Sequence, residues 1–369
     1  MDIPLLSTQH FSSLAGVDLR QLQCSFGPTI LKTNMKAYQL AATTGPDALR
    51  LVELQEPKPA RGQVLVRVRA TSLNFRDLMI VTGNYGKVEL PRIPLSDGAG
   101  EIVAVGKGVT HWKTGDRVTG TFFQGWQSGP CEPRAARTAL GGDLDGMLAE
   151  YVALSEDGVI AIPPHLSFEE AATLPCAALT AWHALVVHGN VSADETVLLL
   201  GTGGVSIFGL LFAKMHGARA IVTSGSDEKL ARAQKLGADE TINYRSIPNW
   251  EEEVFRLTDK TGVDHVIEVG GKDTLARSLR SIKLGGQIHL IGGVSGFTSD
   301  VPLGDIIRKL AIVRGVFVGS RAMFEAMNLA LTRHQTKPAV DRVFKFADAP
   351  AAYQYLQSGK HFGKVVITV

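Results

Sequence analysis

VLLLGTGGVSIFGLLFAK, residues 197–214, decides how the rest of the chain is read. Four apolar residues, Val197–Leu200, run into Gly201, Gly203 and Gly204, and an apolar stretch of helical character follows at once. A buried strand, a glycine turn and a helix in that order open a βαβ unit that binds a dinucleotide. The first glycine permits the turn, the second lets the backbone approach a pyrophosphate, and the third lets helix and strand close together. The third place holds Ser206 instead. Serine is small enough to keep that packing, and its hydroxyl can reach a phosphate oxygen beside the helix N-terminus. Gly203, Gly204, Val205 and Ser206 are the first candidate cofactor contacts.

The following segment, ARAIVTSGSDEKL, bears on which dinucleotide is held. NAD sites place a carboxylate about 20 residues beyond the glycines, on the ribose 2′-hydroxyl. Here Ser224, Gly225 and Ser226 come before any acid, Lys229 follows within a helical turn, and Tyr244 with Arg245 ends the next strand. Hydroxyls and an ammonium suit a 2′-phosphate, so Ser224, Ser226, Lys229 and Tyr244 point to NADPH. Ser226 also reads as a helix N-cap, which is compatible with that role. Further strand-like runs, DETINY, VDHVIEVGG and GGQIHLIGG, alternate with helical stretches up to about residue 310. Such alternation predicts an α/β domain with a doubly wound parallel sheet, and Gly270, Gly292 and Gly293 fall at the carboxyl edge where these sheets bind ligands.

Upstream the pattern differs. From Met35 to about Pro164, short β-rich runs such as GQVLVRVRATSLN, GEIVAVG and GVIAIP are punctuated by Gly and Pro, which predicts a small, mostly antiparallel β domain. Downstream, a helix over Arg321–Thr332 leads to DRVFKF, a second helix and the closing strand GKVVITV, expected to rejoin that β domain. The division expected is an extension over 1–34, a β domain over 35–180 completed by 318–369, and a dinucleotide-binding domain over 181–317.

Composition narrows the function. The 369 residues are 45% hydrophobic and 20% charged, enough for two packed cores, and the net charge is only +2 with no block of Lys or Arg. That balance argues against nucleic acid and membrane surfaces as partners and favours a small molecule. Cys24, Cys131 and Cys176 are too far apart for a disulfide framework or a Cys-x-x-Cys clip, which fits a reducing compartment and a cytoplasmic location. The apolar stretch over Val205–Ala213 is too short to span a bilayer. Asp2 and Asp18 argue against an import presequence, so 1–34 reads as an extension.

Taken in order, GPDALRLVELQEPKPARGQVLVRVRATSLNFRDLMIVTGNY, PLSDGAGEIVAVG, GDRV, AATLPCAALTAWHAL, GTGGVS and SGKHFGKVVI resemble the medium-chain dehydrogenase/reductase superfamily. The likeness runs from Met35 to Val369 and is greatest to the branch of zinc-free quinone oxidoreductases, enoyl reductases and alcohol-dehydrogenase-like proteins. It implies a GroES-like β domain joined to a Rossmann domain, a cofactor between them and a homodimer. Zinc-using members carry ligands at the positions of Asn74, Asp97 and Cys176; an amide, a carboxylate and one thiol make a poor zinc shell, so no metal is expected. The resemblance also implies an active-site tyrosine at Tyr85, a substrate- or cofactor-orienting role for Asn74, a nicotinamide-ribose contact at Thr180 and cofactor contacts at Gly363 and Lys364.

Alternatives stand beside these readings. Tyr85 is an oxyanion donor or a structural hydroxyl. Asp97 is a proton source or the cap of a turn. The segment FFQGWQSGPCEPRAARTALGGDLDG, with Phe122, Phe123 and Trp126, walls the substrate pocket or packs on itself. His183, His188 and His289 have no metal spacing. The reading favoured is an NADPH-dependent reductase of an α,β-unsaturated carbonyl or a quinone. A zinc-free alcohol dehydrogenase or carbonyl reductase and an NADPH-binding protein without turnover are the alternatives.

Overall fold

The computed structural model describes residues 34–301 and 303–369; the extension over 1–33 lies outside the described residues. A hairpin of β1 (Asn34–Leu40) and β2 (Leu49–Gln55) opens the described chain. It is followed by β3 (Gln63–Leu73), β4 (Asp97–Val105), β5 (Arg117–Gly120), β6 (Tyr151–Ser155) and β7 (Val159–Ala161). Consecutive α- and π-helical turns over residues 168–188 then lead to β8 (Thr196–Leu200), β9 (Arg219–Ser224), β10 (Glu240–Asn243), β11 (Val263–Glu268), β12 (Ile282–Leu290) and β13 (Ile312–Gly315). The chain closes with β14 (Val340–Lys345) and β15 (Lys364–Thr368).

Two sheets carry the site. In the first, the order is β14-β15-β3-β4-β5-β7, with β6 also on β3. The closing strand does rejoin the β domain: β15 runs antiparallel to β3 with Val365 opposite Leu73, which sets Lys364 beside Asn74. The second sheet is parallel throughout, in the order β10-β9-β8-β11-β12-β13. Its strand order reverses between β8 and β11, and such a reversal leaves a crevice at the carboxyl ends of the strands. The strands of the opening stretch and of VDHVIEVGG are buried on both faces, as strands covered by helices on both sides must be. Among the described residues, no helix is long and apolar enough to cross a membrane.

Candidate functional site

A cleft of about 1100 Å³ lies along that crevice and is walled by both sheets' loops. At its centre is the glycine turn. Gly201 has φ 75°, the left-handed region in which a side chain is strained, so the first glycine is required by its backbone. Gly203 caps helix α1 (Gly204–Met215) without any side-chain hydrogen bond, and a Cβ built there would meet nothing within 4 Å. The N-terminal N–H groups of α1 therefore open onto the cleft, where an anion is favoured. That is the fit expected for a dinucleotide's pyrophosphate. Gly363 donates its N–H to the Thr202 carbonyl at 2.9 Å and lies along Gly203, so the closing strand and the turn share this wall. Val205 lines it too.

One reading of the turn needs correcting. The Ser206 hydroxyl donates to the Leu200 carbonyl at 2.7 Å and is buried, so serine locks helix to strand and its hydroxyl is not free for a phosphate. Gly204 must be small because a Cβ there would come within 2.7 Å of Lys364 Cδ.

The far end of the cleft contains Ser224, Lys229 and Tyr244. Ser226 does not line it; its hydroxyl accepts from the Lys229 N–H at 3.4 Å and is spent as a helix cap. Lys229 donates its ammonium to the Gly359 carbonyl at 2.6 Å. Gly270, Gly292 and Gly293 line the opposite side, as expected at the ends of β11 and β12. Sequence reasoning missed what holds that loop. The fully buried Glu268 carboxylate accepts from the Gly270 N–H at 2.8 Å, the Gly271 N–H at 3.0 Å, the Thr274 hydroxyl at 2.6 Å and the Ser278 hydroxyl.

At the inner end, Asn74 caps the short helix Phe75–Val81, its backbone N–H donating to Asp77 at 2.8 Å, while its Oδ1 accepts from Lys364 Nζ at 2.5 Å. Lys364 also donates to the Leu73 carbonyl at 2.6 Å and is 3% exposed. Lys364 lines the cleft beside Gly363, and its ammonium is held against the β domain by these two acceptors. The expectation for Asp97 is corrected. It is completely buried and does not line the cleft; it accepts from the Ser96 hydroxyl at 2.7 Å and the Cys176 N–H at 3.2 Å, tying β4 to the helical turns over 168–188. Burial pushes its carboxyl above the ordinary value, against the pull of Lys364. Thr180 lines the cleft with its hydroxyl donated to the Cys176 carbonyl at 2.7 Å.

Tyr85 lines the cleft half-buried. The Arg76 guanidinium lies between its ring, at 4.9 Å, and the Phe122 ring, at 4.7 Å, and donates to the Leu140 carbonyl at 3.0 Å. Arg76 is a residue that sequence reasoning missed, although it stands in the quoted SLNFRD; only the register of the following helix brings it under the tyrosine. Of the three aromatics in the loop, Phe122 faces the cleft, while Phe123 and Trp126 pack on each other at 5.9 Å. Each reading of that loop holds for part of it.

Asn74, Asp97 and Cys176 do converge, yet they do not fit a zinc ion. The Asn74 oxygen is taken by an ammonium, Asp97 stands 3.9 Å from the same ammonium, and burial with the Asp97 charge pushes the Cys176 thiol well above its ordinary value, away from the thiolate a metal needs. Among the described residues no group of three or more His, Cys, Asp or Glu is arranged to hold a metal. The histidines form pairs, His183 with His188 at 3.0 Å and His265 with His289 at 3.3 Å.

Comparison with known proteins agrees with this architecture. Residues 60–164 match the family described as alcohol dehydrogenase GroES-like domain, and residues 204–333 the family described as zinc-binding dehydrogenase. A zinc-type alcohol dehydrogenase-like protein of Schizosaccharomyces pombe is 43% identical over 88% of this chain and 96% of its own length. A quinone oxidoreductase of Pseudomonas aeruginosa is 31% identical over 90% and 99%, and an acryloyl-coenzyme A reductase of Metallosphaera sedula 31% over 86% and 95%. Among solved structures, a putative alcohol dehydrogenase from Sinorhizobium meliloti superposes with a TM-score of 0.85 at 41% identity, covering 91% of this chain and 98% of that one.

Proposed function

We infer that this chain, which belongs to the medium-chain dehydrogenase/reductase superfamily, is an NADPH-dependent reductase of α,β-unsaturated carbonyls or quinones that works without zinc. Its GroES-like and Rossmann domains bind a nicotinamide cofactor, as the superfamily does, and when bound that cofactor supplies the hydride. The observation that carries the finer reading is the ammonium of Lys364 set against Asn74 and Asp97, with the Cys176 N–H on the same carboxylate. An ammonium has no vacant orbital for a substrate oxygen. A carbonyl reduced directly must build a full alkoxide, whereas addition to the β-carbon of an enone spreads the charge over an enolate that hydrogen-bond donors hold. In this reading Tyr85 donates to that oxygen, a role supported by its position in the cleft wall with a guanidinium beneath its ring.

Ser224, Lys229 and Tyr244 bind the 2′-phosphate in this reading, with Lys229 exchanging the Gly359 carbonyl for it. The open N-terminus of α1 receives the pyrophosphate, and Glu268 keeps the Gly270 loop in place. The protein is cytoplasmic in this reading, and a homodimer: β13 is an edge strand whose four residues are all exposed, Ile312 and Val313 among them, and an uncovered apolar edge seeks a partner strand. Deuteride transfer from labelled NADPH to a small enone, followed by NMR of the product, tests the chemistry. Label on the β-carbon is expected; label on the carbinol carbon would establish the carbonyl-reductase alternative. Tyr85→Phe is expected to lower kcat at least about tenfold with a smaller change in KM.

A further inference from the structure

We infer that Lys364 is the resident cation of this active site: its ammonium occupies the place among Asn74, Asp97 and Cys176 that a metal ion would need, and it makes the cluster refuse one. Asp97 has no exposed surface at all. A carboxylate taken out of water requires a counter-charge, and the Lys364 ammonium 3.9 Å from Oδ2 supplies it. Two of that ammonium's hydrogens are held by uncharged acceptors, the Leu73 carbonyl at 2.6 Å and Asn74 Oδ1 at 2.5 Å. Asp97 stands beyond hydrogen-bond length, so the third hydrogen is not committed at bonding distance to any of the three groups. Meanwhile Asp97 spends its oxygens on the Ser96 hydroxyl and the Cys176 N–H. The cluster is thus organised as a cation shell of an amide oxygen, a main-chain carbonyl and a carboxylate, with a thiol beside it, filled from within the chain.

Getting the lysine there imposed a second condition. The side chain starts on β15 and passes the first residue of α1, where only a glycine leaves room for its methylenes. Gly204 in the dinucleotide turn and Lys364 near the C-terminus are therefore one device, and a bulkier residue at 204 displaces the ammonium. The consequence for chemistry is a fixed single positive charge in the cleft wall, close to the helix N-terminus. It steadies negative charge through space and by its uncommitted N–H. It offers no coordination position to an oxygen. Lys364 is in these terms a positioning residue: it sets the Asn74 amide and the Asp97 carboxylate, on which the helix cap and the Cys176 segment depend.

The test is whether removing the lysine uncovers a metal site. N74C supplies a second thiol, and K364A/N74C vacates the centre as well. Cobalt(II) is the probe, because thiolate ligation gives it an intense near-ultraviolet charge-transfer band and tetrahedral visible bands. Wild type and N74C are expected to show neither, while the double variant binds one Co²⁺ at least 100-fold more tightly than N74C and melts at a higher temperature with the ion than without. Equal binding by N74C alone, or no binding by a double variant with native circular dichroism, overturns the inference. Should the double variant not fold, K364M/D97N removes both charges together. Retained NADPH affinity with kcat lowered at least tenfold is expected there, and an unchanged kcat overturns the resident-cation role. The cobalt readout needs no turnover, so it stands or fails separately from the enone reading, which the deuteride experiment tests.

Discussion

The inner end of the cleft and the histidine pairs of the dinucleotide-binding half bury titratable groups by different means. The β domain pairs charges, Lys364 with Asp97 and Arg76 with Asp77, the latter at 3.5 Å. The dinucleotide-binding half buries histidines and keeps them neutral: burial first, then neighbouring His265, pushes the His289 imidazole down to about 3, and burial with His183 takes His188 to about 4. The difference follows from what each half must do. A paired charge is a fixed electrostatic feature at the inner end of the cleft. A neutral imidazole is simply packing with hydrogen bonds at its rim, and it leaves the anion seat at the helix N-terminus to the backbone.

The comparison breaks most visibly where a pair is cut. Lys364→Met leaves Asp97 buried without its partner and should cost about 3–5 kcal/mol in urea unfolding, the usual penalty for half of a buried pair. Adding Asp97→Asn to that variant should recover most of the loss. Recovery of none of it would mean that the lysine acts through its packing against Gly204 and not through its charge.

The pH dependence separates the halves by sign. His289 is unprotonated in the native state down to about 3, whereas an ordinary histidine takes up its proton near 6.5. Its contribution to stability is therefore present above pH 6.5 and is lost as the pH falls below it. Asp77 does the reverse: burial, opposed by Arg76, raises it to about 6 from an ordinary 3.8, so between those values the native state holds the extra proton and gains stability on acidification. In urea titrations at pH 7 and pH 4.5, His289→Gln should lose less stability than the wild type by about 2–3 kcal/mol. An unchanged difference would show that this imidazole is not kept neutral.

The smallest effect lies at the exposed end of the cleft, where the Lys229 ammonium donates to the Gly359 carbonyl. NADPH is expected to bind at least tenfold more tightly than NADH, about 1.4 kcal/mol, and Lys229→Ala should erase much of that preference in a fluorescence titration. Equal affinities in the wild type would remove the 2′-phosphate reading while leaving the glycine turn as a dinucleotide seat.

Much of the cofactor half is legible in the amino-acid sequence. The alternation from β8 onward, the turn at Gly201, the cap at Ser226 and the glycines ending β11 and β12 are local patterns, set by strand and helix periodicity and by φ at single residues. Those patterns place the cofactor end of the cleft, because a dinucleotide is held largely by backbone at a strand–helix junction. The hairpin of β1 and β2 is harder to read, since LRLVELQ is mostly exposed and carries little apolar signal. Which polar side chains face the cleft at the reaction end is decided by tertiary structure alone. Asp97 alternates inward from β4 and vanishes behind the wall, Arg76 arrives beneath Tyr85 through a helical turn, and Lys364 reaches Asn74 across 290 residues of chain because β15 pairs with β3. Long-range pairing of that kind leaves no mark in local composition, so the sequence could name the residues of the cluster but not the cation among them.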